Sequence, residues 1–419
     1  MRTNAFVSAS WLISLLFIPI HSACATSHSG VVSLISGPTA VQTCVLMADK
    51  RLACWGNSEV GALVVDVGGQ DVISASMGHA FGCAIVRNGT VYCWGVNDQG
   101  QLGDGTRDDH VLPAPITTSS PAISIAAGFT HVCAVLADSS VWCWGSNSNG
   151  QLGNFTIAVG NASFSPVQVI VQDPMGSPPN PPVLQVKSVA AGNKHSCALY
   201  DDNHATCWGY DSEGELGDGA SGIDHEVSPQ NVVIPDDSGT LVNLIFGGGQ
   251  IAAGEFHVCG LISDSPTNSI GCWGYNSHGQ LGDGSESTRN MAVASYDEKG
   301  QIKDALSVSA GYAFTCALLS DTTVRCWGSD VEDELGRAAA GSDSLTGITI
   351  TNTDGFPLGG ITQLITGTGH ACGLSIDGNV YCWGDNAYGQ LGVASPAKSD
   401  LPIAVRIDSP LFYDDFGDD

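Results

Sequence analysis

The 419-residue sequence predicts an all-β fold, a β-propeller of seven blades. Three observations carry this reading. The dipeptide Trp-Gly recurs seven times, each time directly after a cysteine. Each of those cysteines has an upstream mate across a stretch that reads as strand, turn and strand. Glycine is abundant, at 53 residues, while charged residues make up 13%. That balance suits turn-rich β structure, because glycine supplies the positive φ of tight turns.

Residues 1–25 read as a secretory signal. Arg2 gives a positive start, Trp11–Ile20 a short apolar core, and Ala23 and Ala25 small residues before a cleavage point. The apolar run is about half of the ~20 residues a spanning helix needs, and no later run is longer, so stable membrane insertion is not expected. Acylation of Cys24 is the alternative to cleavage, but His21 and Ser22 are poor residues ahead of a lipidated cysteine. Cleavage after Ala25 removes Cys24 and leaves 14 of 15 cysteines, an even number that suits an oxidising compartment. The net charge of −28 also loses Arg2 and becomes −29. Phosphate backbones and anionic lipid repel such a chain, so nucleic acid is not expected as a partner.

Residues 26–411 hold the repeats. Trp55, Trp94, Trp144, Trp208, Trp273, Trp327 and Trp383 follow Cys54, Cys93, Cys143, Cys207, Cys272, Cys326 and Cys382. The upstream mates are Cys44, Cys83, Cys133, Cys197, Cys259, Cys316 and Cys372. Six intervals are ten residues and the fifth is thirteen. Successive Trp-Gly pairs lie 39 to 65 residues apart, a period that indicates one supersecondary unit per repeat. A glycine-punctuated turn follows: Asn97–Gly105, Asn147–Gly153, Asp211–Gly219, Asn276–Gly284 and Asn386–Gly392. Asp333 interrupts it in the sixth repeat, and the first repeat is degraded from Gly61.

The ten-residue interval is informative through its parity. Facing positions across a two-residue turn differ by an odd number, so an even interval selects a three-residue loop such as Arg87-Asn88-Gly89, with a left-handed residue last. Lys50, Ser139, Asn203 and Thr322 occupy that last position elsewhere, and β-branched Thr322 fits it poorly, so its loop is expected to differ. In this register the cysteines face each other with Cα atoms about 4.5 Å apart, near the lower end of the disulfide range. Each bond closes a small loop and stabilises by ~2–3 kcal/mol. Each tryptophan, one residue on, points to the opposite face of its strand. Zinc sites favour two to four residues between cysteines, and redox pairs favour C-x-x-C; neither spacing occurs.

Ahead of each hairpin lies an apolar strand ending in glycine, such as Ile123–Gly128 or Leu306–Gly311. Before that there is often a proline-led strand, such as Ser165–Ile170 or Ser228–Ile234. Four short strands per repeat is the make-up of a propeller blade. Repeat 1 lacks the proline-led strand and the C-terminus carries an extra one, Leu401–Ile407. The expectation is that this last strand completes the first blade and removes the open edge. Residues 412–419 are then an acidic tail.

These residues resemble the repeats of the regulator-of-chromosome-condensation family, seven-bladed propellers with G-x-x-H…D-G-x-V-x-x-W-G-x-N-x-x-G-Q-L-G-x-G in each repeat. The paired cysteines resemble secreted versions of that repeat. The family's histidine falls on His131, His195, His257 and His370, with Gln42, Phe81 and Phe314 at the same place in other repeats. A ring of histidines suggests a metal on the axis. With three of seven positions unsuited to ligation, blade packing through hydrogen bonds to backbone is the expected role. The resemblance also implies guanine-nucleotide exchange on a small GTPase, an alternative that the export signal and oxidised cysteines oppose. The G-W-R-H-T context of the light-sensing plant branch is absent.

Gly217–Gly222 matches G-x-G-x-x-G but follows a repeat turn and opens no helix, so it is not a phosphate cradle. Asp104, Asp218 and Asp283 are acidic turn residues without EF-hand spacing and are expected to be solvated. Asn88, Asn154 and Asn161 are glycosylation sequons. No cofactor and no catalytic constellation is expected. The reading is a secreted, extracellular, monomeric, non-enzymatic scaffold that binds a protein partner through Asp173–Pro182, Gly219–Gly249, Ser263–Ser269 and Arg337–Gly355.

Overall fold

The computed structural model describes residues 30–56, 63–155, 158–170, 185–220, 224–236, 238–264, 267–338, 341–405 and 407. Residues 1–25, which read as a signal, with Cys24 among them, the acidic tail 412–419 and Asp173–Pro182 lie outside them. Strands build seven antiparallel blades, each of four main strands, here called A to D from the axis outwards. In blade 2 these are Val72–Met77, Phe81–Val86, Val91–Gly95 and His110–Ile116. No helix occurs among the described residues, and so none is long and apolar enough to cross a membrane.

Crowding at the axis explains the small residues of strand A. The seven A strands converge on a cavity of about 170 Å³ lined by Ser76, Ala127, Ala191, Ala253, Ala310 and Thr366, among others. Between blades the residues are large. Trp144 of blade 3 is fully buried against Phe81, Ile85, Leu102 and Ile116 of blade 2, and the same cluster holds the Cys83–Cys93 pair. One blade's cystine face therefore meets the next blade's tryptophan face. Burying a side chain of that size contributes roughly 1.5–3 kcal/mol.

In all seven hairpins the two cysteines are direct register partners, bonded, with Cα atoms 4.0 to 4.1 Å apart. The three-residue loop is present: the Val86 amide donates to Thr90 and Gly89 has φ 83°. Thr322 corrects the expectation made for it. It adopts φ 66° like Lys50, Ser139 and Asn203, and its hydroxyl accepts the Gly360 amide at 2.9 Å. Tertiary hydrogen bonding outweighs the local preference of a β-branched residue.

The closure of the ring also differs from the expectation. Lys398–Val405 pairs with Val380–Asp385 and so completes blade 7, while blade 1 is built from Val31–Ile35, Thr43–Met47, Leu52–Trp55 and Leu63–Val65. The proline-led strand belongs to the hairpin before it, and blade 1 uses a short apolar strand there. The ring closes through side chains instead: Gln363 of blade 7 accepts from the Leu34 amide at 2.8 Å and donates to its carbonyl at 2.9 Å. The fifth hairpin is lengthened over Ser263–Ser269, in keeping with its thirteen-residue interval. Its ladder simply continues to Asp264 opposite Thr267.

Candidate functional site

The repeated side chains form one inter-blade unit. His131, His257 and His370 are fully buried, and each Nε2 meets a hydroxyl on the next blade: Ser196 at 2.9 Å, Thr315 at 2.9 Å and Thr43 at 2.8 Å. Those hydroxyls donate to the carbonyls of Gln151, Gln280 and Gln390. Each hydroxyl proton is thus engaged, and the ring donates from Nε2. The same three carbonyls accept Nε1 of Trp208, Trp327 and Trp55 at 2.9 Å each. Trp144, Trp273 and Trp383 reach the carbonyls of Gln101, Glu215 and Glu334 in the same way. Trp94 packs with blade 1 around Leu52 and Val65.

The expected backbone partner of the histidines is therefore replaced by a hydroxyl. His195 is the exception: blade 5 carries Val258 at the hydroxyl position, and both ring nitrogens lack a partner. Burial holds these histidines neutral, with pKa values near 4 for His131 and His370 and near 3 for His195 and His257. Among the described residues no group of three or more His, Cys, Asp or Glu side chains is gathered to hold a metal ion.

The turn after each Trp-Gly places a second set of buried polar residues. Asn97 Oδ1 accepts the Leu102 amide at 2.9 Å and Gln101 Oε1 the Gln99 amide at 2.8 Å. In blades 4 and 6 the amides become acids, Asp211 with Glu215 and Asp330 with Glu334. Burial pushes Glu215 up to about 9, Glu334 and Asp211 up to about 7, and raises Asp330 as well. Sequence reasoning passed over these four, although D-S-E-G-E-L-G and D-V-E-D-E-L-G show the paired replacement.

Topology sorts the connections onto two faces. The A–B loops and the repeat turns share one. There His79 stacks on Phe129 at 4.3 Å, Lys194 sits over Tyr210 at 5.7 Å, and Phe256 lies between Tyr210 and Tyr275. Glu255, held by Asn193 at 2.7 Å and by Tyr312, is pushed up to about 7 by burial.

The other face carries the B–C hairpin tips and the D–A connectors. A cavity of about 530 Å³ opens on it, lined by Asn352, Leu358, Ile376, Asp377, Tyr381 and Ile403 among others. Phe356, on the same connector, is 68% exposed and Ile376 is 77% exposed. Of the segments expected to bind, Gly219–Gly249 contains strand D of blade 4, His225–Asn231, and a hairpin of Val233–Pro235 with Leu241–Asn243. Arg337–Gly355 likewise contains strand D of blade 6, Ser344–Thr349. These two segments are thus partly blade. Asn88 and Asn161 are exposed, whereas the Asn154 side chain donates to Gln168 at 2.7 Å.

Comparison with known proteins follows the repeats. Two models of the regulator of chromosome condensation (RCC1) repeat match, one over residues 88–135, 138–199 and 377–411. The other matches over 72–101, 122–151, 186–215, 306–332 and 361–390, and together they cover more than half of the chain. The chain belongs to the RCC1 repeat family. Among RCC1 relatives, the human probable E3 ubiquitin-protein ligase HERC6 is 32% identical over 244 residues. The match takes in 56% of this chain but only 22% of that protein's length. The Arabidopsis thaliana ultraviolet-B receptor UVR8 is 26% identical over 389 residues, 89% of this chain and 81% of that protein. Yeast RCC1 (Prp20), in its crystal structure with Kap60, superposes with a TM-score of 0.66 at 18% identity, over 96% of this chain and 91% of that one.

Proposed function

We propose that this chain is a non-enzymatic protein-binding scaffold, exported as a monomer, whose partner docks on the connector face. One observation carries the reading: hairpin tips and connectors gather there around a 530 Å³ cavity, with Phe356 and Ile376 exposed beside it. An apolar pair beside a concave, polar-rimmed site is the usual anatomy of a recognition surface. The seven cystines suit an oxidising compartment, in keeping with the signal-like residues 1–25. A propeller of the same fold was crystallised with Kap60, so a protein partner is within the repertoire of the family.

The test compares the protein with Ile376→Asp and Phe356→Ser variants. A partner enriched by the unaltered chain from the source organism's culture medium should be lost at least tenfold by both variants, with Tm unchanged. Equal capture by the variants removes the site from this face. Accelerated release of a fluorescent guanine nucleotide from a small GTPase would instead support the exchange reading.

A further inference from the structure

Three positions of the repeat bracket the turn in blades 2 to 7: the first residue of the turn, the residue seven places on, and the strand D residue opposite the glycine of Trp-Gly. In blade 2 they are Asn97, Asp104 and His110. Asn97 Nδ2 donates to Asp104 at 3.4 Å, and His110 Nε2 lies 2.8 Å from the other Asp104 oxygen. In blade 5 they are Asn276, Asp283 and Arg289, joined at 3.2 and 2.7 Å. Blade 6 reverses the polarity, with Arg337 Nε 3.0 Å from Asp330 Oδ2 and Ser344 at the third position. Blades 3 and 7 are uncharged there, with Asn147, Asn154 and Ser163 in one and Asn386, Val393 and Ser399 in the other. Every one of these seats holds as many cations as carboxylates when the histidine is charged, or holds neither.

Blade 4 breaks the pattern. Its three residues are Asp211, Asp218 and Glu226, the last paired in register with Gly209 as His110 is with Gly95 and Arg289 with Gly274. The local geometry is otherwise that of the sister blades. Asp211 Oδ1 accepts the Leu216 amide at 3.0 Å, as Asn97 Oδ1 accepts that of Leu102, and Asp218 accepts the Ala220 amide at 2.8 Å, as Asp104 accepts that of Thr106. Asp211 Oδ2 consequently takes the place of the amide nitrogen. It is buried in a residue only 1% exposed and has no hydrogen-bond partner. Burial, and after it the charges of Asp218 and Glu226, push Asp211 up to about 7.

We propose that the turn of blade 4 is a binding site for a hard divalent cation of the calcium class, with Asp211, Asp218 and Glu226 as its ligands. The ion takes the role that His110, Arg289 and Arg337 play in the sister blades. An all-oxygen donor set selects such a cation over softer metals, and calcium tolerates irregular geometry better than magnesium. Among the described residues the three carboxylates do not stand at chelating distance from one point, so binding requires side-chain movement. Asp218 and Glu226 are only part-buried, which leaves their side chains room to turn towards the fixed oxygen of Asp211. A single proton on Asp211 satisfies that oxygen but leaves two like charges beside it. A divalent cation answers all three.

The experiment is calcium titration of the chelator-stripped full chain at pH 7.5 by calorimetry, with Tm read in parallel. The expected result is one calcium per chain and a Tm that rises with calcium. Asp211→Asn, which restores the amide of the sister blades, should weaken calcium at least tenfold while the chain stays folded. Glu226→Arg supplies the cation from within and should abolish the calcium response without lowering Tm in chelator. No heat and no Tm change up to 10-fold millimolar excess of calcium overturns the site and leaves Asp211 to be neutralised by a proton. Calcium binding that both variants retain places the ion elsewhere and overturns it equally.

Discussion

Thr43 of the first blade and His370 of the last, 327 residues apart in the chain, meet at 2.8 Å. The hydroxyl passes its proton to Gln390, also of the last blade, so one side chain of blade 1 ties two elements of blade 7. Thr43→Val keeps the shape and strands a buried ring N–H. Leaving such a donor unsatisfied costs about 1–3 kcal/mol. Thermal unfolding should show a lower Tm, while Thr43→Ser should restore most of it.

Blade 5 already carries the equivalent of that variant. Val258 faces His195, whose two ring nitrogens have no partner. Val258→Thr places a hydroxyl between His195 and the Glu215 carbonyl, as Ser196 lies between His131 and Gln151. Stability should rise by about 0.5–1.5 kcal/mol, the net value of a hydrogen bond. A denaturant midpoint that does not rise would mean the valine packing is worth as much.

Glu215 gives a pH dependence with a definite sign. Its pKa in the folded protein, about 9, lies above that of the unfolded chain, so folding retains a proton the unfolded state gives up. The stability it contributes is present below about pH 4.5 and is lost as pH rises towards 9. Glu215→Gln, which restores the residue of the sister turns, should therefore raise Tm more at pH 8 than at pH 5. The buried histidines act at the other end, since their stability is present above about pH 6.5 and lost as pH falls through 4 to 3.

The cystines make a prediction for thiol chemistry. All fourteen cysteines of the blades are bonded. A chain lacking residues 1–25, denatured without reductant, should show essentially no free thiol. Replacing the Cys133–Cys143 pair with alanines should cost about 2–3 kcal/mol through loss of loop closure in the unfolded chain. An unchanged denaturation midpoint would show that the ladder alone sets the hairpin.

Periodic features were legible in the sequence. The even cysteine interval specified the loop length and the facing of Cys372 with Cys382, and the Trp-Gly repeat specified the blades. Features that depend on neighbours across space were not. Whether Leu401 onward joins blade 7 or blade 1 is decided by edge pairing, which local pattern does not encode. Thr322 holds a left-handed conformation through a bond to Gly360, and the partners of the histidines stand on the next blade. The acidic seat of blade 4 was half visible: Asp218 read as solvated because the register that sets Glu226 opposite Gly209 comes only with the sheet.

Because each blade is made from one contiguous stretch and, among the described residues, no strand is shared across the seam, the junction between blades 7 and 1 is chemically much like the other six. The ring has no privileged starting point. Joining the segment after Val405 to the one before Val31 and opening the chain after Ile116 should yield a circular permutant with the same propeller, its order of blades rotated by two.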